Sequence, residues 1–318
     1  SEMCIRDRES IVVNDRMETS VPDIYAAGDA VQVKHYVTGD DALISLAGPA
    51  NKQGRIIADN ICGGDSHYLG SQGSSVIKVF DMTAATTGIN ETNAKKSGLD
   101  VDTVILSPMS HAGYYPGGKV MTMKVVFEKE TYRLLGAQII GYEGVDKRID
   151  VLATAIHAGL KATQLKDLDL AYAPPYSSAK DPVNMAGFMI DNIAKGTLKQ
   201  WHLEDMDKIS KDKNAVLLDV RTVGEFNRGH MDGFKNIPVD ELRERISEIE
   251  KGKPVYLICQ SGLRSYIASR ILEGNGYETY NFSGGFRFYD AVVNDRALIE
   301  RAYACGMDCL LYTSPSPR

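Results

Sequence analysis

The segment from Cys259 to Arg264, with the sequence Cys-Gln-Ser-Gly-Leu-Arg, limits the possible folds of this chain more than any other. It follows a short apolar run at residues 255–258, which predicts a buried strand, and it precedes residues 265–272, whose apolar spacing predicts a helix. A cysteine at such a turn lies where backbone N–H groups converge at the positive end of a helix dipole. We therefore expect Cys259 to be a thiolate nucleophile that can also hold the anionic sulfur of a persulfide.

Two other residues of this loop support a catalytic interpretation. Gly262 permits the tight turn, and Arg264 is predicted to place a fixed positive charge at the rim of the loop. The alternative is that Cys259 is a buried structural cysteine at a strand end. The strand, the Cys-x-x-Gly-x-Arg spacing and the following helix together favour a reactive loop, so Cys259 and Arg264 are predicted to be catalytic.

The sequence around the loop resembles a rhodanese domain over about residues 207–300. The matching segments are residues 216–221, 225–226, 229–233, 236–238 and 282–286. The resemblance implies that Cys259 carries sulfur as a persulfide between a donor and a nucleophilic acceptor. Related phosphatases resemble this fold but have one more residue between the cysteine and the arginine. The four intervening residues found here favour sulfur over phosphate.

Asp219, Arg221 and His230 lie in the same region and leave two interpretations open. In the first, the three side chains form a catalytic set. In the second, which we favour, Asp219 and Arg221 form a structural ion pair at a strand end.

A second motif lies near the amino terminus. Residues 24–26 predict a short strand and Ala27-Gly28 a tight turn, after which the carboxylate of Asp29 can accept a hydrogen bond from a sugar-alcohol hydroxyl. Residues 43–55 then lead into a helix predicted at 56–61. The alternative is that Asp29 is an ordinary helix N-cap.

This motif resembles the second flavin-contacting segment of the pyridine nucleotide–disulfide oxidoreductases. The resemblance implies that Asp29, with Gly28 in the turn before it, contacts the ribityl chain of FAD. It also implies that the start of the following helix, with Ala47 and Asn51, faces the pyrimidine end of the isoalloxazine ring. Small residues at this helix start would let the backbone approach a flat ring.

The pattern changes after residue 76. It predicts, in order, a strand at 76–80, a helix that follows residues 84–91 and ends at Gly98, an antiparallel hairpin of 120–127 and 134–141, and an amphipathic helix at 149–157. This order resembles the dimerisation domain of the same oxidoreductase superfamily, and the resemblance implies a homodimer.

Residues 111–117 and 171–182 resemble the coenzyme A-disulfide reductases and their persulfide- or polysulfide-reducing relatives. No His-Pro pair occurs in the chain, whereas glutathione reductase-type enzymes have one in this region. The resemblance implies that Tyr114 and Tyr172 donate protons to a thiolate leaving group on the partner subunit. It also implies that Lys180 contacts coenzyme A, through an ammonium–phosphate pair. The alternative for residues 172–176 is a rigid aromatic turn.

These resemblances predict an α/β and α+β chain: a partial FAD-binding segment, an α+β dimerisation domain and an α/β rhodanese domain with a parallel sheet. The predicted boundaries are 9–68 for the C-terminal part of the FAD-binding domain, 69–194 for the dimerisation domain, 195–206 for a linker and 207–303 for the rhodanese domain. Trp201 in the linker is predicted to pack one domain on the other. Residues 1–8 and most of the tail at 304–318 resemble translated sequencing-adaptor sequence, which we exclude from the fold.

Three features of the reductase family are not found in the sequence. They are the Gly-x-Gly-x-x-Gly fingerprint of the first flavin-binding half, a second such unit for NAD(P)H, and an early isolated cysteine. We therefore expect this chain to be a fragment that holds FAD weakly or not at all and does not oxidise NAD(P)H. In the whole protein, the resemblance implies that NAD(P)H reduces FAD and FAD reduces the missing cysteine. That cysteine would attack a coenzyme A disulfide, persulfide or polysulfide.

Composition narrows the class of protein further. A net charge of −6 gives no reason to expect nucleic acid or an anionic membrane surface as a partner. No apolar run approaches the roughly 18–20 residues that a membrane span needs, and no signal peptide is evident. The five scattered cysteines fit a reducing, cytoplasmic setting. Cys305-x-x-x-Cys309 has no second ligand pair nearby, so no metal site is predicted.

Three functions remain open from the sequence. The favoured one is part of an FAD-dependent coenzyme A-disulfide or persulfide reductase that has a rhodanese domain. The second is a standalone rhodanese-type sulfurtransferase whose amino-terminal part only dimerises. The third is a non-enzymatic sulfur carrier or redox sensor, in which persulfidation of Cys259 alters a contact with a partner.

Overall fold

The computed structural model describes residues 10–293 of the chain. These residues form two compact units, of which the first contains residues 10–103 and 109–188 and the second contains residues 104–108 and 189–293. Within these ranges, none of the helices is both long and apolar enough to cross a membrane. The two predicted adaptor tails lie outside the described residues, as do Cys305 and Cys309.

The first unit begins with a small sheet and a long helix. In chain order these are β1 (Ile11–Val12), β2 (Val31–Lys34), β3 (Asp41–Ala42) and α1 (Ala47–Ile61). β1 runs parallel to β2, and β2 runs antiparallel to β3. Met17, Val31 and Val33 form a small buried core, against which Ile56 and Ile57 of α1 pack. This core fixes α1 against the sheet.

Two sequence predictions in this region are wrong. Residues 24–26 do not form a strand, and Tyr25 makes only an isolated bridge with Glu18. Asp23 has φ +63°, and this left-handed residue bends the chain just before the predicted strand. The helix predicted at 56–61 begins already at Ala47. Pro49 lies in its first turn, where a missing N–H costs nothing because those groups have no intrahelical acceptor.

A five-stranded sheet with three helices follows in the first unit, except that residues 104–106 of its last strand and 189–194 of its last helix are grouped with the second unit. The next elements in chain order are β4 (Ser75–Val79), β5 (Met82–Gly88), α2 (Glu91–Lys96), β6 (Val101–Leu106), β7 (Met121–Glu128), β8 (Leu134–Gly141), α3 (Val145–His157) and α4 (Pro182–Ala194). The strand order is β4-β5-β8-β7-β6, and β7 and β8 form the predicted antiparallel hairpin. α3 packs on β5 and β8 and buries Leu152 and Ile156.

Two glycines allow the close approach of backbone at the end of β5. Gly88 pairs with Gly136 of β8 and has φ +67°, a conformation that favours glycine. A Cβ at residue 136 would collide with the carbonyl oxygen of Ile89. The turn that follows β5 can therefore cross β8 only because both residues lack side chains.

A parallel sheet lies at the centre of the second unit. Its elements are β9 (Gln200–Trp201), α5 (Met206–Ile209), β10 (Val216–Asp219), α6 (Val223–Arg228), β11 (Lys235–Asn236), β12 (Val255–Ile258), α7 (Leu263–Glu273) and β13 (Thr279–Phe282), followed by helical residues 285–293. The strand order is β11-β10-β12-β13-β9, and every pairing is parallel. The structure thus confirms the predicted fold class, and it confirms the predicted strand and helix on either side of Cys259.

Each face of this sheet is covered by a separate hydrophobic core, as is usual for a parallel sheet. Leu218, Leu257 and Ala268 belong to one core, and Trp201 and Phe282 belong to the other. The prediction that Trp201 packs one domain on the other is wrong. Its ring is buried 4.4 Å from that of Phe282, inside the second unit, because β9 completes the edge of this sheet.

We expect Gly136→Ala to lower the free energy of unfolding of the first unit by about 1–3 kcal/mol, because the added methyl group must displace backbone. The matched control is Gly54→Ala in α1, where a Cβ meets nothing within 4 Å. Alanine favours a helix over glycine by about 1 kcal/mol, so this control should be neutral or stabilising. Urea unfolding followed by circular dichroism measures both, and equal stability of the two variants would contradict the steric argument.

Candidate functional site

The Cys259 loop directs two hydrogen-bond donors at a single sulfur atom. The backbone N–H of Gly262 lies 3.1 Å from Cys259 Sγ, and the hydroxyl oxygen of Ser265 lies 3.2 Å from it. Gly262, at φ +99°, turns the chain into α7, whose 11 residues begin at Leu263. Cys259 is 1 % exposed, so these donors act in a place with little competing water. The arrangement is suited to a negatively charged sulfur.

The segment after β13 holds this loop in place. The Phe286 N–H donates to the Cys259 carbonyl oxygen at 2.8 Å, and the Arg287 N–H donates to the Gln260 carbonyl at 3.2 Å. A Cβ at Gly285 would lie 2.7 Å from Gln260 O, so only glycine permits this approach. Asn281 Nδ2 donates to the Gly262 carbonyl at 3.2 Å. The predicted closing segment therefore fixes the backbone that surrounds the sulfur.

The charge of Arg264 is neutralised by an ion pair. Its two terminal nitrogens each lie 2.7 Å from an oxygen of Glu225. This pairing, with hydrogen bonds from Thr222, lowers the pKa of Glu225 to about 2 and raises that of Arg264. Glu225 also forms a capping box with Thr222 at the start of α6. Arg264 therefore ties the Cys259 loop to α6, and its fixed positive charge is paired with Glu225.

Asp219 and Arg221 form a buried ion pair, as the favoured sequence interpretation predicts. Arg221 Nη2 lies 2.7 Å from Asp219 Oδ2, and both side chains are almost fully buried. Arg221 also donates to the Gly229 carbonyl at 2.8 Å, and its guanidinium stacks 3.8 Å from the centre of the Phe286 ring. His230 is exposed and stacks on Phe226, and within residues 10–293 its side chain makes no hydrogen bond to Asp219 or Arg221. The catalytic-set alternative has no geometric support.

In the first unit, the structure brings the two predicted active-site tyrosines together. The hydroxyl oxygens of Tyr114 and Tyr172 are 2.8 Å apart, although 58 residues separate them in sequence. The hydrogen bond to Tyr114 is the main cause that raises the pKa of Tyr172. Both side chains are exposed. The raised pKa keeps the Tyr172 hydroxyl protonated at neutral pH.

A buried arginine that the sequence analysis missed joins the two segments that carry these tyrosines. Arg148 Nη2 donates to the Ser110 carbonyl at 2.9 Å, to Ser177 Oγ at 3.1 Å and to Asp181 Oδ2 at 2.9 Å. Ser177 Oγ donates to the same carboxylate oxygen at 2.7 Å. Arg148 is 1 % exposed. One feature of the sequence could have identified Arg148, namely that it is a charged residue on the buried face of the amphipathic helix α3.

A cavity of about 440 Å³ lies between these two segments. Its lining includes His111, Lys147, Arg148, Tyr172 and Tyr176. Lys180 is not part of this lining. It is exposed, and its ammonium group lies 5.7 Å from the centre of the Phe188 ring. It can meet an anionic group of a ligand without first breaking an ion pair among the described residues.

The residues predicted to contact flavin lie close together in the first unit. Gly28–Ala30 forms a short 3-10 helix that packs on α1, and Gly28 has φ +78°. The buried Gln53 of α1 accepts a hydrogen bond from the Gly28 N–H at 2.7 Å. Asp29, Ala47 and Asn51 are all exposed. A fixed turn beside the start of a helix, with a carboxylate free to accept hydroxyl groups, fits a ribityl chain and a flat ring.

Within residues 10–293, no group of three or more His, Cys, Asp or Glu side chains is arranged to hold a metal ion. Cys62 and Cys259 are both free thiols.

Comparison with known families agrees with both halves of this description. Residues 74–182 match the dimerisation domain of the pyridine nucleotide-disulphide oxidoreductases, and residues 202–291 match the rhodanese-like domain. The chain thus combines a dimerisation domain of the oxidoreductase family with a rhodanese-like domain. The curated relatives described next are named as enzymes that act on sulfur groups.

Among the curated relatives, an NAD(P)H sulfur oxidoreductase (CoA-dependent) of Pyrococcus abyssi is 40% identical over 179 residues, which are 56% of this chain and 40% of that protein. A coenzyme A disulfide reductase of Staphylococcus epidermidis is 37% identical over 189 residues, or 59% of this chain and 43% of that protein. The chain thus spans less than half the length of these relatives.

Two solved structures resemble the chain over most of its length. Reduced CoADR-RHD of Bacillus anthracis is 46% identical with a TM-score of 0.89, and the match covers 92% of this chain and 53% of that one. An NAD-dependent persulfide reductase from A. fulgidus is 42% identical with a TM-score of 0.81, covering 88% of this chain and 50% of that one.

We expect Asp181→Asn to destabilise the first unit by about 3–5 kcal/mol, because it leaves the guanidinium of Arg148 buried without a counter-ion. The matched control is Asp100→Asn, which removes a surface ion pair with Lys129 and should cost no more than about 1 kcal/mol. Thermal or urea unfolding of the two variants measures the difference. A cost for Asp181→Asn as small as that of the control would contradict the importance of the buried pair.

We expect Glu225→Gln to destabilise the second unit by about 1 kcal/mol at pH 7, since the ion pair with Arg264 is partly exposed to solvent. The pKa of Glu225 is about 2 in the folded protein, below its ordinary value of 4.5. Its contribution is therefore fully present above the unfolded pKa and is lost as the pH falls toward the folded one. Urea unfolding from pH 7 to pH 3 should show the deficit shrinking below about pH 5. The exposed Glu244→Gln variant is the control, and a deficit that does not change with pH would contradict this account.

Proposed function

We propose that the whole protein is an FAD-dependent reductase of coenzyme A disulfides, persulfides or polysulfides that uses NAD(P)H. This chain would contribute its dimerisation domain and its sulfur-carrying rhodanese domain. The names of the relatives support this reaction class, since they include a coenzyme A disulfide reductase and a CoA-dependent sulfur oxidoreductase. The reductase assignment concerns the whole protein, of which the chain covers about half in the solved relatives. A cytoplasmic location stays a prediction.

A homodimer fits the exposed surface of the first unit. β4 is an edge strand of its sheet, and Val76, Ile77 and Val79 on this strand are all more than half exposed. Phe80 in the following turn is 94% exposed. Exposed apolar side chains on an edge strand favour association, so a second copy of the chain is the expected partner.

In this proposal, the tyrosine pair serves the reductase reaction. Tyr114 and Tyr172 would donate hydrogen bonds or a proton to the thiolate that leaves when a coenzyme A disulfide or persulfide is cleaved. The raised pKa of Tyr172 keeps its proton available at neutral pH. The exposed ammonium group of Lys180 would pair with a phosphate of coenzyme A. Arg148 would position both tyrosine-bearing segments.

The flavin-contacting residues would hold the cofactor at the start of α1. Asp29 would accept hydrogen bonds from ribityl hydroxyl groups, and Gly28 would allow the backbone to turn beside them. Ala47 and Asn51 would face the pyrimidine end of the flavin ring. When bound, FAD supplies electron transfer between NAD(P)H and a disulfide.

The observation that carries the sulfur-transfer part of the proposal is the pair of donors at Cys259. The Gly262 N–H and the Ser265 hydroxyl both lie within hydrogen-bonding distance of Sγ. Donors in these positions stabilise the thiolate before transfer and the terminal sulfur of the persulfide after it. The ion pair between Glu225 and Arg264 would keep the loop in this geometry.

Two other functions differ from this one in what they require of Cys259. A standalone sulfurtransferase needs only the second unit, which has its own cores and sheet. In that case, the chain would transfer sulfur from thiosulfate to cyanide through Cys259, and no reductase sequence would lie upstream of it. A sulfur carrier would form a stable persulfide and transfer it to no small acceptor.

We expect the chain to gain the mass of one sulfur atom at Cys259 after incubation with thiosulfate and to form thiocyanate when cyanide is added. Cys259→Ser removes the nucleophile, so the rate should fall on the order of 10³-fold or more. Mass spectrometry of the Cys259 peptide and thiocyanate absorbance measure the two steps. Cys62→Ser, which removes an exposed free thiol in the first unit, is the control and should keep full activity. Full activity in the Cys259→Ser variant would refute sulfur transfer through this residue.

A further inference from the structure

Residues 104–108 are part of the second unit, although most of that unit lies beyond residue 188. They include the last three residues of β6, which is the outermost strand of its sheet. Val104, Ile105 and Leu106 are all buried. A buried N–H that does not bond to a neighbouring strand needs another acceptor, because an unpaired group is costly away from water. The Ile105 N–H has this acceptor in the hydroxyl oxygen of Ser283, at 3.0 Å.

Ser283 directly follows β13 and is held from two sides. Its side chain is buried, and its hydroxyl oxygen accepts the Ile105 N–H. Its own N–H donates to the Trp201 carbonyl of β9 at 3.0 Å. The contacts with two separate strands therefore fix both the side chain and the backbone of this residue.

Two glycines connect Ser283 to the segment that holds the Cys259 loop. Gly284 and Gly285 have φ angles of +107° and +71°, and glycine adopts such angles without a strong preference for them. The turn therefore takes its shape from the contacts at its two ends. Ser283 is fixed at one end, and at the other the Phe286 N–H donates to the Cys259 carbonyl at 2.8 Å.

The position of the Cys259 backbone decides how well its sulfur meets its donors. The Gly262 N–H lies 3.1 Å from Sγ and the Ser265 hydroxyl oxygen lies 3.2 Å from it. A hydrogen bond weakens steeply when its distance or angle departs from the preferred geometry. Because Phe286 holds the carbonyl of the same residue that carries Sγ, a shift of Phe286 would weaken both contacts to the sulfur.

We propose that Ser283 is a positioning residue for the sulfur of Cys259, and that the backbone of residues 104–108 fixes Ser283 in this role. This inference rests on the proposed sulfur transfer at Cys259 and adds to that site a segment that is remote in sequence. Ser283 acts through the glycine turn and Phe286. Within residues 10–293 it makes no hydrogen bond to Cys259 itself.

The test is to alkylate Cys259 with iodoacetamide in the full chain at several pH values and to follow the Cys259 peptide by mass spectrometry. The thiolate displaces iodide in this reaction, so the rate reports the thiolate fraction. Ser283→Ala removes the acceptor of the Ile105 N–H. We expect the rate at pH 7 to fall about tenfold and the midpoint of the pH profile to rise, because part of a hydrogen bond to a charged sulfur is lost. Asn281 still donates to the Gly262 carbonyl at 3.2 Å in this variant, which keeps the loop folded.

The matched control is Thr279→Val, which removes another buried hydroxyl close to Ser283 in sequence. Thr279 lies at the start of β13 and donates to Glu273 at 2.8 Å, so its loss should cost stability without reaching the Cys259 loop. The exposed Cys62 is the internal reference in every sample. Ser283→Thr keeps the hydroxyl and should recover most of the alkylation rate. A midpoint in Ser283→Ala equal to that of the control would overturn the proposal, whatever stability the variant loses in urea.

Amide hydrogen exchange at Ile105 tests the same link in the unsubstituted chain. If Ser283 steadies the donors of an anionic sulfur, a persulfide on Cys259 must in turn steady the Ser283 contact, since coupling between two sites is reciprocal. We expect the Ile105 amide to exchange about tenfold more slowly once the persulfide has formed. Unchanged exchange would overturn the proposal. If thiosulfate forms no persulfide while Ser283→Ala still slows alkylation, the sulfur-transfer function fails and the positioning role stands.

Discussion

The placement of hydrogen-bond donors around the buried sulfur of Cys259 is the constraint on which the second unit depends. A buried anion is costly unless hydrogen-bond donors surround it in fixed positions. The structure provides two such donors, Gly262 N–H and the Ser265 hydroxyl, at the start of α7. It holds them with contacts from the segment after β13, which include the Phe286 N–H on the Cys259 carbonyl. The parallel sheet brings that segment and the Cys259 loop to the same edge because β12 and β13 are neighbours.

Buried arginine–carboxylate pairs hold the loops of both units. Arg148 and Asp181 join the two tyrosine-bearing segments, and Arg221 and Asp219 join the end of β10 to the region around Gly229. A buried ion pair contributes little net stability compared with apolar packing, but removing one partner is costly. Each guanidinium also donates to backbone carbonyl groups of neighbouring loops. The pairs therefore specify loop geometry more than they add stability.

The two units divide the chemistry of one proposed reaction between them. The first unit presents weakly acidic hydroxyl groups at Tyr114 and Tyr172, which suit the protonation of a leaving thiolate. The second unit presents the Gly262 N–H and the Ser265 hydroxyl to the sulfur of Cys259, which would hold the transferred sulfur in the proposed function. Cleavage of a sulfur–sulfur bond produces an anion on the leaving group in both cases. In the proposal, the two sites meet this need differently, one with a proton donor and the other with fixed hydrogen-bond donors.

The sequence by itself determined the elements that depend on local pattern. The strand at 255–258, the helix after Gly262, the hairpin of β7 and β8 and the parallel sheet of the second unit all follow from apolar spacing, glycine positions and family resemblance. Local pattern failed at residues 24–26, where a left-handed Asp23 bends the chain, and at Trp201, which joins a sheet edge whose partner β13 lies far along the sequence.

Only the tertiary structure decided which distant side chains meet. Sequence spacing does not relate Arg264 to Glu225, or Tyr114 to Tyr172, yet the fold brings each pair into contact. The burial of Arg148 is likewise a result of the fold. A charged residue in a sequence carries no sign of its partner, because that partner is chosen by which loops the sheets bring to one edge. The sequence therefore predicted Cys259 as the reactive group, while the fold determined that Arg264 pairs with Glu225.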